Sequence, residues 1–215
     1  MSNLDAWEKR FKLKVVEAIS SLDPAHDLLH FQRVVNLSKN LCQFENANLS
    51  VVLPAAWLHD LVIIPKNDPK RNEASRLSAD AAIEFLKSIN YTEGPLDEIH
   101  HAICAHSFSA NIPCETLEAK IIQDADRLDG IGAIGIARCF ATSGLLKRQL
   151  YAEEDPLCEN REPDDLIYTL DHFYKKLFKV VDKLHTKEAQ KVGRHRLEIM
   201  KTYVRDLYHE IEGES

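Results

Sequence analysis

The 215-residue sequence is poor in the residues that break regular structure, with seven glycines and eight prolines, and this excludes collagen-like, linker-like and largely disordered chains. It lacks any run near the roughly 18 apolar residues of a membrane span. The opening MSNLDAWEKRFKLKVV is charged and helix-patterned where a secretory leader would have an apolar core, so a cytoplasmic protein is expected. Its five cysteines, Cys42, Cys104, Cys114, Cys139 and Cys158, lack the short regular spacing of a zinc ribbon or a disulfide frame and read as reduced thiols. Positive charge is in deficit: the net charge of −7 argues against coating a nucleic-acid polymer and leaves only a local cationic pocket for a small anion. No Walker loop or dinucleotide-binding glycine fingerprint occurs.

Strand-like alternation is also nearly absent, whereas apolar residues at helical spacing fill most of the chain. Trp7, Phe11, Val15 and Ile19 recur every four residues, and Leu29, Val34, Leu37, Leu41 and Phe44 keep near that period. The pattern predicts an all-α protein of about eight helices. They fall near 4–21, 24–46, 50–64, 72–89, 95–108, 115–128 and 131–143, followed by a long pair at 164–185 and 187–211. Asp23-Pro24 and Gly94-Pro95 are expected to start two of them. One domain over 1–215 is expected, with a motif core at about 24–130 and a C-terminal helical pair at about 164–211. The basic, proline-bounded 65–71 reads as an ordered loop, and the acid-rich 151–165 as a solvated, flexible excursion.

Against this background, His30, His59-Asp60 and Asp126 stand out because each lies in a segment that otherwise reads as buried. His59-Asp60 interrupts LPAAWLHDLVII, one of the most apolar runs in the chain. An unpaired carboxylate there would cost several kcal/mol, so it requires a strong partner such as a divalent cation. A lone histidine on an apolar face is more often a hydrogen-bonded core residue, and a lone His-Asp pair means little. Two imidazoles and two carboxylates together form a nitrogen-oxygen set suited to Mn²⁺, Mg²⁺, Ni²⁺, Co²⁺, Fe²⁺ or Zn²⁺ with open positions. Adjacent helical residues point about 100° apart, so His59 and Asp60 would share an ion lying off the flank of their helix. The other two ligands would come from neighbouring helices.

The order His30, His59-Asp60, Asp126 resembles the HD-domain superfamily of metal-dependent phosphohydrolases, and its YedJ/YpgQ-like bacterial branch in particular. The likeness extends to HDLLHFQRV at 26–34, Leu58-His59-Asp60, Pro65-Lys66-Asn67, His106-Ser107-Phe108-Ser109, DADRLDGIGAIGIARCF at 124–140 and Gly193-Arg194-His195-Arg196, so it covers most of 20–210. It implies an HD-type helical bundle with a metal site in its core. Its implied ligands are His30 rather than His26, His59, Asp60, and Asp126 rather than Asp124 or Asp129. The latter two are then capping or supporting groups, or solvated helix-end carboxylates. Manganese or magnesium is favoured as the metal. The implied activity is hydrolysis of a nucleotide or related small phosphate, a (deoxy)nucleoside triphosphate with pyrophosphate release foremost, by metal-activated water.

Lys66, Asn67 and Arg71 are the candidates to meet phosphate charge, with Lys70 and Arg76 as weaker choices. His101 and His106, five residues apart, do not share a helix face closely. His106 is expected to contact substrate or pass a proton, and His101 to touch substrate. In several HD nucleotidases a glutamate three residues past the aspartate assists the water, and here that place is Ile63. Asp68 is the remaining acid, or a cap before Pro69. Phe108, Tyr151 and Phe173 are base-stacking candidates that more often belong to a core. Two other readings stand beside the phosphohydrolase: a di-iron HD oxygenase with His101 and His106 as further ligands, and a non-catalytic nucleotide-sensing module. A homodimer is compatible with either arrangement of the C-terminal helices, and neither a membrane nor a nucleic-acid polymer is expected as partner.

Overall fold

A computed structural model describes residues 3–18, 27–64, 68–107 and 110–214. Among them are nine α-helices and three single 3-10 turns, with one isolated parallel bridge, Gln149 to Tyr168, as the only extended pairing. The helices are α1 (Asn3–Ala18), α2 (Leu28–Glu45), α3 (Leu49–Leu58), α4 (Ala74–Ser88), α5 (Leu96–His106), α6 (Leu117–Asp129), α7 (Gly132–Leu145), α8 (Asp171–Lys175) and α9 (Lys187–Glu212). No helix of the described residues is long and apolar enough to cross a membrane. The chain divides into two compact units, Met1–Asp126 and Arg127–Ser215.

In the first unit α3 is the central element, packed by α1, α2, α4 and α5. Its residues Val51–Leu58 are all buried, as expected of a helix that is apolar around its circumference. Pro54 has no N–H to offer the Ser50 carbonyl one turn earlier, and the Tyr91 hydroxyl donates to that carbonyl instead, at 2.6 Å. The same carbonyl explains Gly94, since a Cβ there would lie 2.6 Å from it. Glu8 of α1 clamps the neighbouring helices, accepting from the Lys39 ammonium at 2.7 and 2.6 Å and from the Trp57 indole at 3.2 Å.

Two helix boundaries in this unit differ from the expected ones. The helix read as 50–64 ends at Leu58, so His59 is its C-cap and Asp60 lies in the following turn. Tertiary contact decides this: the Ser78 hydroxyl of α4 accepts from the Val62 N–H at 3.0 Å, which holds 61–64 off the helix axis. Asp23-Pro24 and His26 lie outside the described residues. The described helix opens at Leu28, capped by Asp27, whose carboxylate accepts from the His30 N–H at 2.8 Å. At the other expected start, Pro95 itself is the N-cap of α5 and no side chain caps it.

The second unit joins α7 to α9 and departs most from expectation. The helix read over 164–185 is instead irregular chain to Leu170, then the five residues of α8 and two 3-10 turns. Backbone pairing pre-empts the helix: the Gln149 N–H donates to the Ile167 carbonyl at 3.0 Å, and Thr169 and Leu170 donate to Gln149 and Leu150 at 2.8 and 3.0 Å. The acid-rich segment before it is an anchored loop rather than a free excursion. Fully buried Asp171 receives both terminal nitrogens of Arg161, at 2.5 and 2.8 Å, and the Asp164 N–H at 2.6 Å. Burial alone would raise the Asp171 carboxyl, but these donors prevail and hold it below the ordinary carboxylate range. Phe173 is buried in an aromatic core with Phe140, Phe178 and Tyr203.

Candidate metal centre

His30, His59 and Asp60 each offer one ligand atom, and these atoms all lie within 4.8 Å of one another. His30 comes from the first turn of α2, while His59 and Asp60 come from the end of α3. His106, the last residue of α5, and Asp126 of α6 complete the cluster. The distances are 3.6 Å from His30 Nε2 to Asp126 Oδ1, 3.8 Å from His59 Nε2 to Asp60 Oδ2, and 3.3 Å from His106 Nε2 to Asp60 Oδ1. Ring centroids lie 5.5 Å apart for His30 and His59 and 5.0 Å for His59 and His106.

The ends of α3 and α5 use one local device twice. His59 Nδ1 lies 2.9 Å from the Ala56 carbonyl and His106 Nδ1 lies 2.6 Å from the Ile103 carbonyl, each three residues back. A carbonyl only accepts, so Nδ1 carries the proton in both rings and each satisfies one of its helix's orphan carbonyls. Nε2 is thereby turned into the cluster. For His59 that nitrogen is buried and has no hydrogen-bond partner among the described residues. Burial pushes the His59 imidazole down to about 4, against the smaller upward pull of Asp60, so Nε2 presents a lone pair at neutral pH. Burial also pulls His106 down, but the Asp60 hydrogen bond and the charges of Asp60 and Asp126 outweigh it and raise its pKa above the ordinary value. Both helices bring their C-terminal ends to this point, where the macrodipole favours positive charge.

A buried open imidazole nitrogen, a second buried imidazole and two carboxylates fit a divalent cation. His30, His59 and Asp60 could hold one, and the acceptor set is mixed nitrogen and oxygen with no thiolate in it.

The other expected residues are placed as follows. Lys66, Asn67 and Phe108 lie outside the described residues. Arg71 donates from one guanidinium nitrogen to the Ile64 carbonyl at 2.6 Å, which occupies that nitrogen within the fold. The Asp68 carboxylate accepts from the Lys70 N–H at 2.8 Å, the geometry of a turn cap. His101 Nε2 accepts from the Glu115 N–H at 3.1 Å and is absent from the clustered ligand atoms. His100 pairs with Asp80 at 2.9 Å. Asp124 and Asp129 are buried, which overturns the solvated alternative for both, and Asp129 pairs with Arg138 at 2.7 Å.

Gln123 has a supporting role that its residue type alone did not suggest. Buried on α6 one turn before Asp126, it donates from Nε2 to the Ala105 carbonyl at 2.7 Å and fixes the turn that carries His106. Its only signal in the sequence is an amide among apolar neighbours. Phe31, with its ring 5.1 Å from that of His59, forms an apolar wall of the cluster.

Residues 28–131 match the family model of the HD domain. The chain is 33% identical over 193 residues to the protein YpgQ of Bacillus subtilis, covering 87% of this chain and 85% of that one. Among solved structures it is similar to Bacillus subtilis YpgQ in complex with ADP, with a TM-score of 0.76, 30% identity and coverage of 98% and 97% of the two chains. It is also similar to an HD-superfamily hydrolase from Bacillus thuringiensis, with a TM-score of 0.77, 27% identity and coverage of 98% and 99%. The histidine, histidine-aspartate and aspartate gathered from α2, α3 and α6 thus sit in a chain that belongs to the HD-domain family.

Proposed function

We propose that this chain is a cytoplasmic, metal-dependent phosphohydrolase acting on a nucleotide or related small phosphate, with a (deoxy)nucleoside triphosphate cleaved to release pyrophosphate as the favoured reaction. The observation that carries this reading is the open, buried Nε2 of His59 within reach of His30 and Asp60. The hydrolase relatives support the reaction class, and the ADP complex of YpgQ supports a nucleotide as ligand. Residues 1–215 are read as one HD domain.

His30, His59, Asp60 and Asp126 would hold the divalent ion, manganese or magnesium foremost. Bound there, it would supply a water of lowered pKa and polarise a phosphoryl oxygen. Asp126, with its side chain one-third exposed, marks the side of the cluster open to solvent and substrate. His106 Nε2 lies 3.3 Å from Asp60 Oδ1, a contact that favours its protonated form, and the ring is assigned the proton transfer to or from the reacting phosphate. Lys66 and Asn67 are assigned to the phosphate charge, and Arg71 to the same loop through its bond to Ile64. Asp68 is assigned to shaping that loop. The Glu115 N–H already occupies Nε2 of His101, which favours a hydrolase over an oxygenase needing that nitrogen for a second iron.

Purified protein assayed with Mn²⁺, Mg²⁺, Ni²⁺ or Co²⁺ against a nucleotide panel is expected to release pyrophosphate or phosphate only when metal is present. Failure to do so, or full activity in His59→Ala and Asp60→Ala, would overturn the reading. Thermal stabilisation by nucleotide without turnover would favour the sensing module instead.

A further inference from the structure

We propose that a cavity of the first unit, formed by α1 and α2 over Trp57 of α3, is a second small-molecule site that takes a nucleoside monophosphate. Its volume is about 410 Å³, toward the small end of the range of ligand pockets and suited to one mononucleotide. On α1 the lining residues are spaced i, i+3, i+4 and i+7 from Asp5 to Lys12, and on α2 they are spaced i, i+3 and i+4 from Gln32 to Asn36, so each helix turns a single face to the cavity. No residue clustered at the metal centre lines it. The site is thus separate from that centre, and the inference does not depend on the hydrolase reading.

The side chains already committed to the fold leave a particular set for a ligand. The Glu8 charge is balanced by Lys39, and the Trp57 indole N–H is spent on Glu8. Trp57 and Val35 are buried and supply the apolar contact that a planar base needs. Lys9 and Lys12 are exposed and make no ion pair among the described residues, and two ammoniums match a phosphomonoester dianion. Asp5 precedes Lys12 by about 10 Å of helix axis, so the α1 face is acidic at one end and basic at the other. The phosphate therefore belongs at the Lys9–Lys12 end. The Gln32 and Asn36 amides, one turn apart, make no hydrogen bond among the described residues, and each offers donors and an acceptor to the edge of a base. A simple anion would answer the lysines alone, whereas a mononucleotide answers the ammoniums, the amides and the apolar surface together.

Tryptophan fluorescence of the full chain carrying Trp7→Phe tests this without metal, so that turnover does not enter. The chain has two tryptophans, so Trp57 alone then reports, and a phenylalanine keeps a ring against Tyr91. Titration with AMP, GMP, CMP and UMP is expected to shift the emission saturably, with half-saturation below about 1 mM for at least one of them. Lys9→Gln/Lys12→Gln should weaken that binding about tenfold or more, and Gln32→Ala/Asn36→Ala about tenfold, with circular dichroism unchanged in both. Adenosine alone and inorganic phosphate alone should each bind at least about tenfold more weakly than the monophosphate. Should Trp7→Phe itself alter the circular dichroism, the same titrations are read as the difference between the wild-type chain and its lysine variant. No saturable shift with any of the four nucleotides, or a shift that survives the lysine changes, would overturn the proposal. Inorganic phosphate or adenosine bound as tightly as the nucleotide would overturn the assignment to a nucleoside monophosphate.

Discussion

Each unit buries a polar centre, and the two are finished differently. Asp171 in the second unit has the guanidinium of Arg161 and a backbone N–H on its oxygens. His59 in the first unit is equally inaccessible, yet only its Nδ1 is hydrogen-bonded, while its Nε2 faces two carboxylates and two other imidazoles without a bond. A buried polar group with its partners in place is explained by the fold that surrounds it. One left open at a cluster of metal-ligating atoms needs something from outside the chain.

If this contrast is correct, substitutions at the two centres separate function from stability. The largest effect is expected at the open centre: His59→Ala or Asp60→Ala should lower metal-dependent turnover by about a thousandfold or more, read in a pyrophosphate-release assay. Next in size, Asp171→Ala leaves the Arg161 guanidinium without its partner and should cost about 3 kcal/mol in chemical denaturation. The Asp171 carboxyl lies below its ordinary value in the folded state, so its stabilisation is present above the usual carboxylate range and lost as pH falls through the lowered value. The pH profile of Asp171→Asn should lack that acid limb.

A pH series on metal-free protein sharpens the comparison at the other centre. The folded pKa of His59 is depressed from 6.5 to about 4, so the unfolded chain binds the extra proton between those values and stability falls as pH drops through that window. The depression corresponds to roughly 3 kcal/mol if fully expressed. His106 has the opposite sign, since its folded pKa is raised and its stabilisation is lost as pH rises above 6.5. Denaturant midpoints should therefore peak near pH 6.5, and His59→Gln should remove the acid-side slope. A flat profile in the wild type would contradict the assigned burial of the ring. Smaller still, Gln123→Leu should lower kcat about tenfold with metal affinity retained, because it frees the turn under His106 and leaves the ligands in place. Tyr91→Phe should cost only about 1 kcal/mol and no activity, since it removes one hydrogen bond to the carbonyl that Pro54 leaves open.

How far sequence reasoning reached depended on whether a feature was local. Helical periodicity located α4, α5, α6, α7 and α9 to within a few residues, because their apolar faces repeat with the turn. It overran α3, since Leu61-Val62-Ile63-Ile64 continues the apolar pattern while Ser78, distant in sequence, takes the Val62 N–H. It missed the breakup of 164–185 for the same reason: Leu170, Phe173, Leu177, Val181 and Leu184 keep a helical period, but pairing with 149–150 claims the preceding backbone. His30, His59, Asp60 and Asp126 were legible as polar residues in apolar segments, and the expectation that they share one ion came from the family resemblance. Gln123 and Asp171 were not, because an amide on a helix and an aspartate just past an acid-rich stretch look the same in sequence whether or not they are buried.

The most direct test is a Mn²⁺ titration of metal-free protein followed by the electron paramagnetic resonance of free manganese. One ion bound per chain in the wild type, with binding lost in both His59→Ala and Asp60→Ala while circular dichroism is retained, is the predicted result. Wild-type protein that leaves all the manganese free, or variants that bind it as the wild type does, would contradict the account.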